Sequence, residues 1–290
     1  MKKIIFVCMA CMAANITAAL YAQENTQESI SAFEEKWTIS AFAHYRMGIF
    51  NHNDTEYYVS DRYITNNPLA LGLGLRYKKI AASFSYPLPI KNKTFSMDFD
   101  FNSYLQKMYF EGYFKYYGDF YTEETNQKSG LDVLSLGVMA TYVLNHENHS
   151  LSSVINLDKK QNTSSGSFLL SAGTFYSSLY SSNEIMSNYS ERQRLLYTGP
   201  GFGYSYIHVF NNGMFFNISL LVFANIGINT TAVKMVTIPQ LEPRFVFGQH
   251  KNRWSFNIKL VNNSAIIIWD NLDGDVLDLL KISTMFSVRL

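Results

Sequence analysis

Thr94-Phe95-Ser96-Met97-Asp98-Phe99-Asp100-Phe101-Asn102-Ser103-Tyr104-Leu105-Gln106-Lys107-Met108-Tyr109-Phe110-Glu111-Gly112-Tyr113-Phe114-Lys115-Tyr116 alternates in character almost residue by residue. In an extended chain Thr94, Ser96, Asp98, Asp100 and Asn102 fall on one face, and Phe95, Met97, Phe99, Phe101 and Leu105 on the other. After a tight link at Gln106 the pattern resumes. Met108, Phe110, Phe114 and Tyr116 share the apolar face; Lys107, Tyr109, Glu111, Tyr113 and Lys115 share the polar one. The stretch reads as a hairpin of two long strands with matched faces. Its polar face carries a candidate charge cluster, Asp98, Asp100, Lys107, Glu111 and Lys115, with Asp98 directly or diagonally opposite Lys115. That cluster is either a charged constriction selecting solutes or an ion-pair network filling a narrow lumen.

The same period runs outward through the chain. Segments of similar length are expected at 37–46, 69–78, 79–88, 132–145, 149–158, 166–180, 200–211, 213–227, 238–249, 252–262 and 277–290. Asn212-Gly213 is a hairpin dipeptide, Asn145–Asn148 and Gln249–Asn252 are short polar links, and Pro87 and Pro89 close a strand. A strand of a soluble sandwich averages ~5–6 residues, whereas a tilted membrane-crossing strand needs ~9–11. Short links alternate with long polar ones at 47–68, 118–131, 181–199 and 263–276, the pattern of an outer-membrane barrel. Both termini at the periplasmic face require an even strand count. A further short strand near Glu191–Tyr197 makes the count fourteen, and loss of one weak segment makes it twelve. The expected fold is therefore all-β: a single antiparallel closed transmembrane β-barrel of about 12 to 14 strands.

Composition agrees. The chain has 290 residues, of which only 16% are charged and a further 16% aromatic, with 20 Tyr and 22 Phe. A soluble domain usually carries ~25% charge, and disorder is excluded by the apolar content. In hydrocarbon a sheet must close to pair its backbone. Phe, Leu, Val and Met then face lipid, and the tyrosines suit two interfacial girdles. After residue 22 no uncharged apolar stretch of ~18 residues appears, so helical spans are not expected. A net charge of +1 gives no footprint for nucleic acid.

The N-terminus reads as an address. Lys2 and Lys3 precede an apolar run from Ile4 to about Ala19 and a small-residue stretch ending at Ala22, the layout of a cleaved secretory signal peptide over 1–22. Residues 23–36 read as a flexible leader and 37–290 as the barrel domain. The only cysteines, Cys8 and Cys11, lie in the signal segment, so the mature chain has no disulfide, thiolate site or Cys nucleophile. At the other end Phe286, Val288 and Leu290 alternate with Ser287 and Arg289. A closing strand of this form is similar to the signal read by the barrel-assembly machinery. The expected location is the outer membrane of a Gram-negative bacterium, and the expected partners are outer-membrane lipid and that machinery.

Several stretches carry a resemblance. Asn66-Asn67-Pro68-Leu69-Ala70-Leu71-Gly72-Leu73-Gly74-Leu75-Arg76-Tyr77 leads to Pro87-Leu88-Pro89 and Ser96-Met97-Asp98-Phe99-Asp100. Asp158-Lys159-Lys160-Gln161-Asn162-Thr163-Ser164-Ser165-Gly166-Ser167-Phe168-Leu169 follows, then Gly201-Phe202-Gly203-Tyr204 and Phe215-Phe216. In order and spacing, over roughly 60–290, this resembles the bacterial domain of unknown function 4421 family. The resemblance implies an outer-membrane β-barrel and no particular chemistry. Ser164-Ser165 and Ser171 depart from the more basic or glycine residues expected there.

Chemistry-bearing patterns are few. Gly72-x-Gly74 and Gly201-x-Gly203 complete no phosphate loop and suit close packing within strands. His44, His52, His146, His149, His208 and His250 show no helical metal spacing, and neither metal nor cofactor is expected. A lipid-modifying barrel enzyme would need a wall-mounted Ser–His pair, for which His208 with Ser205 or Ser167 is the candidate; no G-x-S-x-G is present. Lys160, Gln161, Ser165 and Ser167 are candidate ligand contacts in the polar 158–167 segment, which otherwise reads as a turn. The leading expectation is a non-enzymatic barrel acting as a channel, a structural protein or a surface-binding protein. The alternatives are the lipid-modifying enzyme and a soluble periplasmic β-sandwich or lipocalin-like binding protein.

Overall fold

The computed structural model describes residues 29–54, 59–66, 69–88, 94–105, 107–125, 127–182, 192–268 and 274–290. The signal segment, both cysteines, Asn67-Pro68 and Pro89 lie outside the described residues.

Among the described residues, twelve strands close into an antiparallel barrel: β2 (Trp37–Asp54), β4 (Leu69–Tyr77), β5 (Ile80–Pro87), β6 (Phe95–Leu105), β7 (Met108–Gly118), β9 (Leu131–Val143), β11 (Ser165–Ser181), β12 (Gln193–Val209), β13 (Met214–Asn229), β14 (Lys234–His250), β15 (Trp254–Ile268) and β16 (Gly274–Arg289). Each pairs with the next, and β16 closes on β2 from Arg289↔Thr38 to Val276↔Asn51. Closure leaves no edge with unpaired N–H groups, which a bilayer requires. Two short strands, β3 (Val59–Ile64) and β8 (Tyr121–Thr122), extend the rim beside β2. Trp37 and Leu290 meet at the opposite, terminal end, where the Leu290 N–H donates to the Trp37 carbonyl at 3.0 Å.

The hairpin at 94–116 forms as its pattern demands. Asp98 pairs with Lys115 and Phe99 with Phe114. Ser96 and Asp98 are buried, while Phe95, Phe99 and Phe101 face outward. An outward apolar belt runs round the wall: Leu71, Leu73, Phe84, Val138, Leu170, Phe202 and Val222 are all exposed. A continuous exposed band of this kind is stable in hydrocarbon and not in water. Aromatic rings flank it. Trp37 packs on Tyr77 at 4.5 Å at the terminal end, and Phe95 lies between Tyr86 and Tyr116 at 5.5 and 6.0 Å toward the other.

Four expectations are corrected. The 149–158 segment is not a strand. It holds a one-turn helix, α1 (Leu151–Ile155), in the long connection between β9 and β11. The segment lies inside the barrel mouth, where Leu151, Ile155 and Leu157, spaced as one face of a strand would be, pack against the interior. Second, of the further strand expected near Glu191–Tyr197, residues 193–197 are the start of β12, which continues through Pro200, and Glu191 lies outside the described residues. With both changes the count falls from fourteen to twelve. Third, most strands are longer than expected: β2 has 18 residues and β11 17, because they continue past the apolar belt into the segments read as loops. Fourth, the tyrosines do not all belong to girdles. Tyr63, Tyr104, Tyr109, Tyr117 and Tyr197 point inward and are buried, since alternation sends every second residue to the lumen whatever its type.

The chain just ahead of the barrel also pairs with the inserted segment. β1 (Ile30–Ala32) pairs antiparallel with β10 (Lys159–Gln161) across the terminal mouth. Local details follow from residue type. Gly213 has φ +79° in the Asn212-Gly213 turn, and its N–H donates to the Phe210 carbonyl. Gly72 lies under the Phe42 ring, where a Cβ would come within 1.9 Å of Cε2. Pro239 and Pro243 interrupt the β14–β15 ladder, which skips 238–239 and 242–243, since proline has no N–H to donate.

Candidate functional site in the lumen

The lumen changes character along its length. Toward the loop end, Phe50, Tyr63, Phe120, Leu131, Leu179 and Phe223 belong to a buried apolar cluster that runs on along the wall to Tyr104, Tyr109, Val143 and Leu151. Phe175 packs on Tyr197 at 5.3 Å and edge-on to Phe223 at 5.7 Å. Below it, at mid-barrel, strand alternation brings charged residues of several walls together.

Arg46 of β2 and Asp98 of β6 are each 1% exposed, and their side chains meet at 3.0 Å. The same guanidinium donates to the Ser96 carbonyl at 3.1 Å. Lys281 of β16 reaches Asp98 at 3.6 Å and Asp100 at 3.3 Å. Arg244 of β14 bridges to Glu111 of β7 at 2.9 Å and to Glu242 at 3.1 Å. β7 and β14 stand nearly opposite each other in the strand order, so this pair spans the lumen. Gln240 donates to the second Glu242 oxygen at 2.8 Å. Of these, Asp100, Glu111, Glu242, Arg244 and Lys281 line a cavity of 140 Å³ that also touches Ile155 and Asn156 of the inserted segment.

Of the expected cluster, Asp98, Asp100, Glu111 and Lys115 are brought together on the lumen side. Lys107 is not: it lies exposed in the β6–β7 turn, beyond the last inward position. The acids also take different partners from those expected. Lys115 is opposite Asp98 in register, but its ammonium lies over the Tyr113 ring at 4.5 Å. With the Asn263 amide oriented by its hydrogen bonds, the Asn263 oxygen accepts from Lys115 at 2.6 Å. Asp98 turns instead to Arg46 and Lys281. Sequence reasoning missed Arg46, Glu242, Arg244, Lys259 and Lys281. Each lies at an inward parity beside polar neighbours, such as His44 with Arg46 or Ser283 with Lys281. Parity was legible, but which walls face each other across the lumen was not.

The terminal end is closed by residues 144–164. Gln161, 2% exposed, ties this plug together. Its amide nitrogen donates to the Asn148 carbonyl at 2.6 Å and the Thr163 carbonyl at 3.0 Å, and its oxygen accepts from the Ser150 N–H at 3.1 Å. Ser167 accepts from the Asn145 N–H at 3.0 Å, Ser165 meets His149 Nδ1 at 3.1 Å, and Lys160 lies opposite Ser31 in the β1–β10 ladder. Gln161, Ser165 and Ser167 thus have internal partners in the plug. Two groups of the plug are perturbed by burial: His149 is lowered to about 4, and the Asp158 carboxyl is raised above the usual carboxylate range. Arg289 of the closing strand clamps the assembly. It donates to the Leu157 carbonyl at 3.3 Å and the Lys251 carbonyl at 2.8 Å, bonds Ser255, and covers the Phe33 ring at 3.3 Å. Asn257 of the wall donates to the Val154 carbonyl at 3.3 Å.

The candidate Ser–His pairs are not assembled. His208 faces outward, where its Nδ1 meets Ser164 at 3.3 Å, while Ser167 and Ser205 are buried on the inward side. Among the described residues no three His, Cys, Asp or Glu side chains come together as a metal set.

The family model described as Domain of unknown function (DUF4421) matches residues 27–272. The chain belongs to this family. Among solved structures, this family member is similar to an outer-membrane channel of Pseudomonas putida F1, at 10% identity and TM-score 0.42, covering 92% of this chain and 100% of that one. It is also similar to Neisserial surface protein A, at 8% identity and TM-score 0.30, covering 88% and 97%. The P. putida toluene transporter TodX matches at 5% identity and TM-score 0.32, covering 88% and 90%. No curated protein matches the chain. The DUF4421 chain thus folds as a closed β-barrel with an outward apolar belt, a charged mid-lumen and an inserted terminal plug.

Proposed function

We propose that this DUF4421 protein is a non-enzymatic barrel of a Gram-negative outer membrane, with its terminal end toward the periplasm, that keeps its lumen shut. It acts as a structural or surface-binding protein, through its loop-end rim, rather than as an open pore. One observation carries this reading: the lumen is filled at three successive levels, by the Phe50–Phe223 apolar cluster, the Arg46–Asp98 and Arg244–Glu111 ion pairs, and the 144–164 plug. The outward side chains of Phe286, Val288 and Leu290 on β16 support reading by the barrel-assembly machinery, and the belt supports contact with outer-membrane lipid. The outward His208, turned away from Ser167 and Ser205, favours a non-enzymatic role over lipid modification. The exposed belt disfavours a soluble binding protein.

The test is single-channel recording in planar bilayers, on protein that shows the gel-mobility shift of a folded barrel between unheated and boiled samples. No conductance is expected. Steady openings from the intact chain would overturn the reading.

A second reading, a gated channel, is favoured by the way the plug is held. Asn257 and Arg289 donate to its Val154 and Leu157 carbonyls, Gln161 ties its turns together, and Val154 and Leu157 pack on Ile207, Phe215 and Val246 of the wall. Openings that appear only when Gln161 and Asn257 are both replaced by Ala would favour this gated form.

A further inference from the structure

The charges around the mid-lumen cavity do not balance locally. All three carboxylates that line it are taken: Glu111 and Glu242 by Arg244, and Asp100 by Lys281. Lys115 and Lys259 line the same cavity, and among the described residues neither has a carboxylate within 4.0 Å. Lys115 has the Asn263 oxygen and the Tyr113 ring. Lys259 has no side-chain hydrogen bond or ion pair among the described residues. His44, 6% exposed, faces the cavity with an unpartnered Nδ1.

The wall concentrates this positive charge. On β15 and β16, Lys259 is opposite Ser283 and Val261 is opposite Lys281, so the two lysines are diagonal neighbours on one face. Lys115 reaches toward them from β7, across the lumen, through Asn263. Ammonium groups gathered in a lumen shielded from bulk water are costly unless an anion faces them. The cavity offers donors in excess of acceptors, which is the chemistry of an oxyanion site.

We propose that the mid-lumen cavity is a binding site for a small oxyanion, phosphate or carboxylate, held by Lys115 and Lys259 with His44 at its margin, beside a Lys281 that is already paired with Asp98 and Asp100. A water needs ~10–15 Å³ of such space, so 140 Å³ admits an anion of phosphate size together with water. The site goes beyond the role proposed above and does not depend on whether the barrel conducts.

The test uses the full barrel refolded in detergent with sodium phosphate, sodium acetate or sodium chloride at matched ionic strength, so that the anion is present as the lumen closes. The readout is the temperature at which the unheated-sample mobility shift is lost. Phosphate or acetate is expected to raise it saturably, and chloride is not. Phosphate acting alone assigns the phosphate class, and acetate acting alone the carboxylate class. Lys259→Met removes no internal partner and should fold. It should weaken the apparent affinity about tenfold, the effect of losing one charge-assisted contact, while Lys259→Arg retains it. The proposal is overturned if chloride acts equally, which is plain screening, or if Lys259→Met keeps the wild-type affinity. It is also overturned if no anion stabilises either protein.

Discussion

The loop-end half of the lumen is held by apolar packing, and the inner half adds buried ion pairs and hydrogen bonds to packing of the same kind. Toward the loop end, Phe50, Phe120, Leu131, Leu179 and Phe223 pack as a soluble protein's core does, non-directionally and by volume. From mid-barrel to the terminal end, Asp98, Arg46, Gln161 and Arg289 add directional contacts, each requiring its partner in place, to the packing of Leu151, Val154 and Leu157. An apolar core tolerates a change of shape in proportion to the volume lost. A buried polar network fails when one member goes, because the survivors are left charged or unpaired. The difference teaches that one wall and one register can hold a half that answers to lost volume and a half that answers to lost partners.

The sharpest way to break the comparison is Asp98→Leu. It leaves Arg46 buried without its carboxylate, and such a loss costs ~3–5 kcal/mol. Assembly into the heat-modifiable form should drop strongly; a variant that assembles like wild type would mean the ion pairs contribute nothing to the inner half. Phe223→Ala probes the other half. A large-to-small change at a packed aromatic costs ~3–5 kcal/mol, read as a lower denaturant midpoint for the whole barrel. The plug should remain protected from hydrogen exchange until that global transition.

Acidification separates the halves by a different route. Burial holds His149 at about 4, below its ordinary value near 6.5. Its contribution to plug stability is therefore complete above pH 6.5 and is lost as the pH falls toward 4, by up to ~3 kcal/mol. Asp158 has the opposite sign. Its raised carboxyl favours the docked plug once protonated, so acid relieves part of the loss. Hydrogen exchange in 144–164 should rise between pH 6.5 and 4, and His149→Gln should flatten that rise without altering the loop-end half.

Gln161→Ala removes one side chain with several partners. It should cost ~1–3 kcal/mol, seen as faster exchange or protease cutting within 144–164 while the barrel's own midpoint stays put. A drop in the global midpoint would join the two halves into one cooperative unit. Smallest of all, Phe99→Leu lies on the lipid face and should change stability by less than ~1 kcal/mol. A large loss there, with Asp98→Leu silent, would invert the assignment of faces.

How much was legible in the residues varies from place to place. The 94–116 hairpin was readable with its register and faces, because alternation and a tight link leave little freedom. The Asn212-Gly213 turn was readable for the same local reason. The inserted 144–164 segment was not. Leu151, Ile155 and Leu157 pack against the barrel's interior at the spacing of one face of a strand. Pro200 disguised the continuity of β12, since a proline in a barrel strand reads locally as a break.

By itself the sequence determined the class of fold and the sidedness of strands with an unbroken alternation, such as the 94–116 hairpin. Those follow from a period of two and from the solvent that each face must meet, and both are properties of neighbouring residues. Only the tertiary structure decided that twelve strands close, that Arg46 rather than Lys115 holds Asp98, that Arg244 spans to Glu111, and that Lys259 stands without a carboxylate. Those are contacts between residues far apart in the chain. They depend on the stagger and circumference of the closed sheet, which no local pattern encodes.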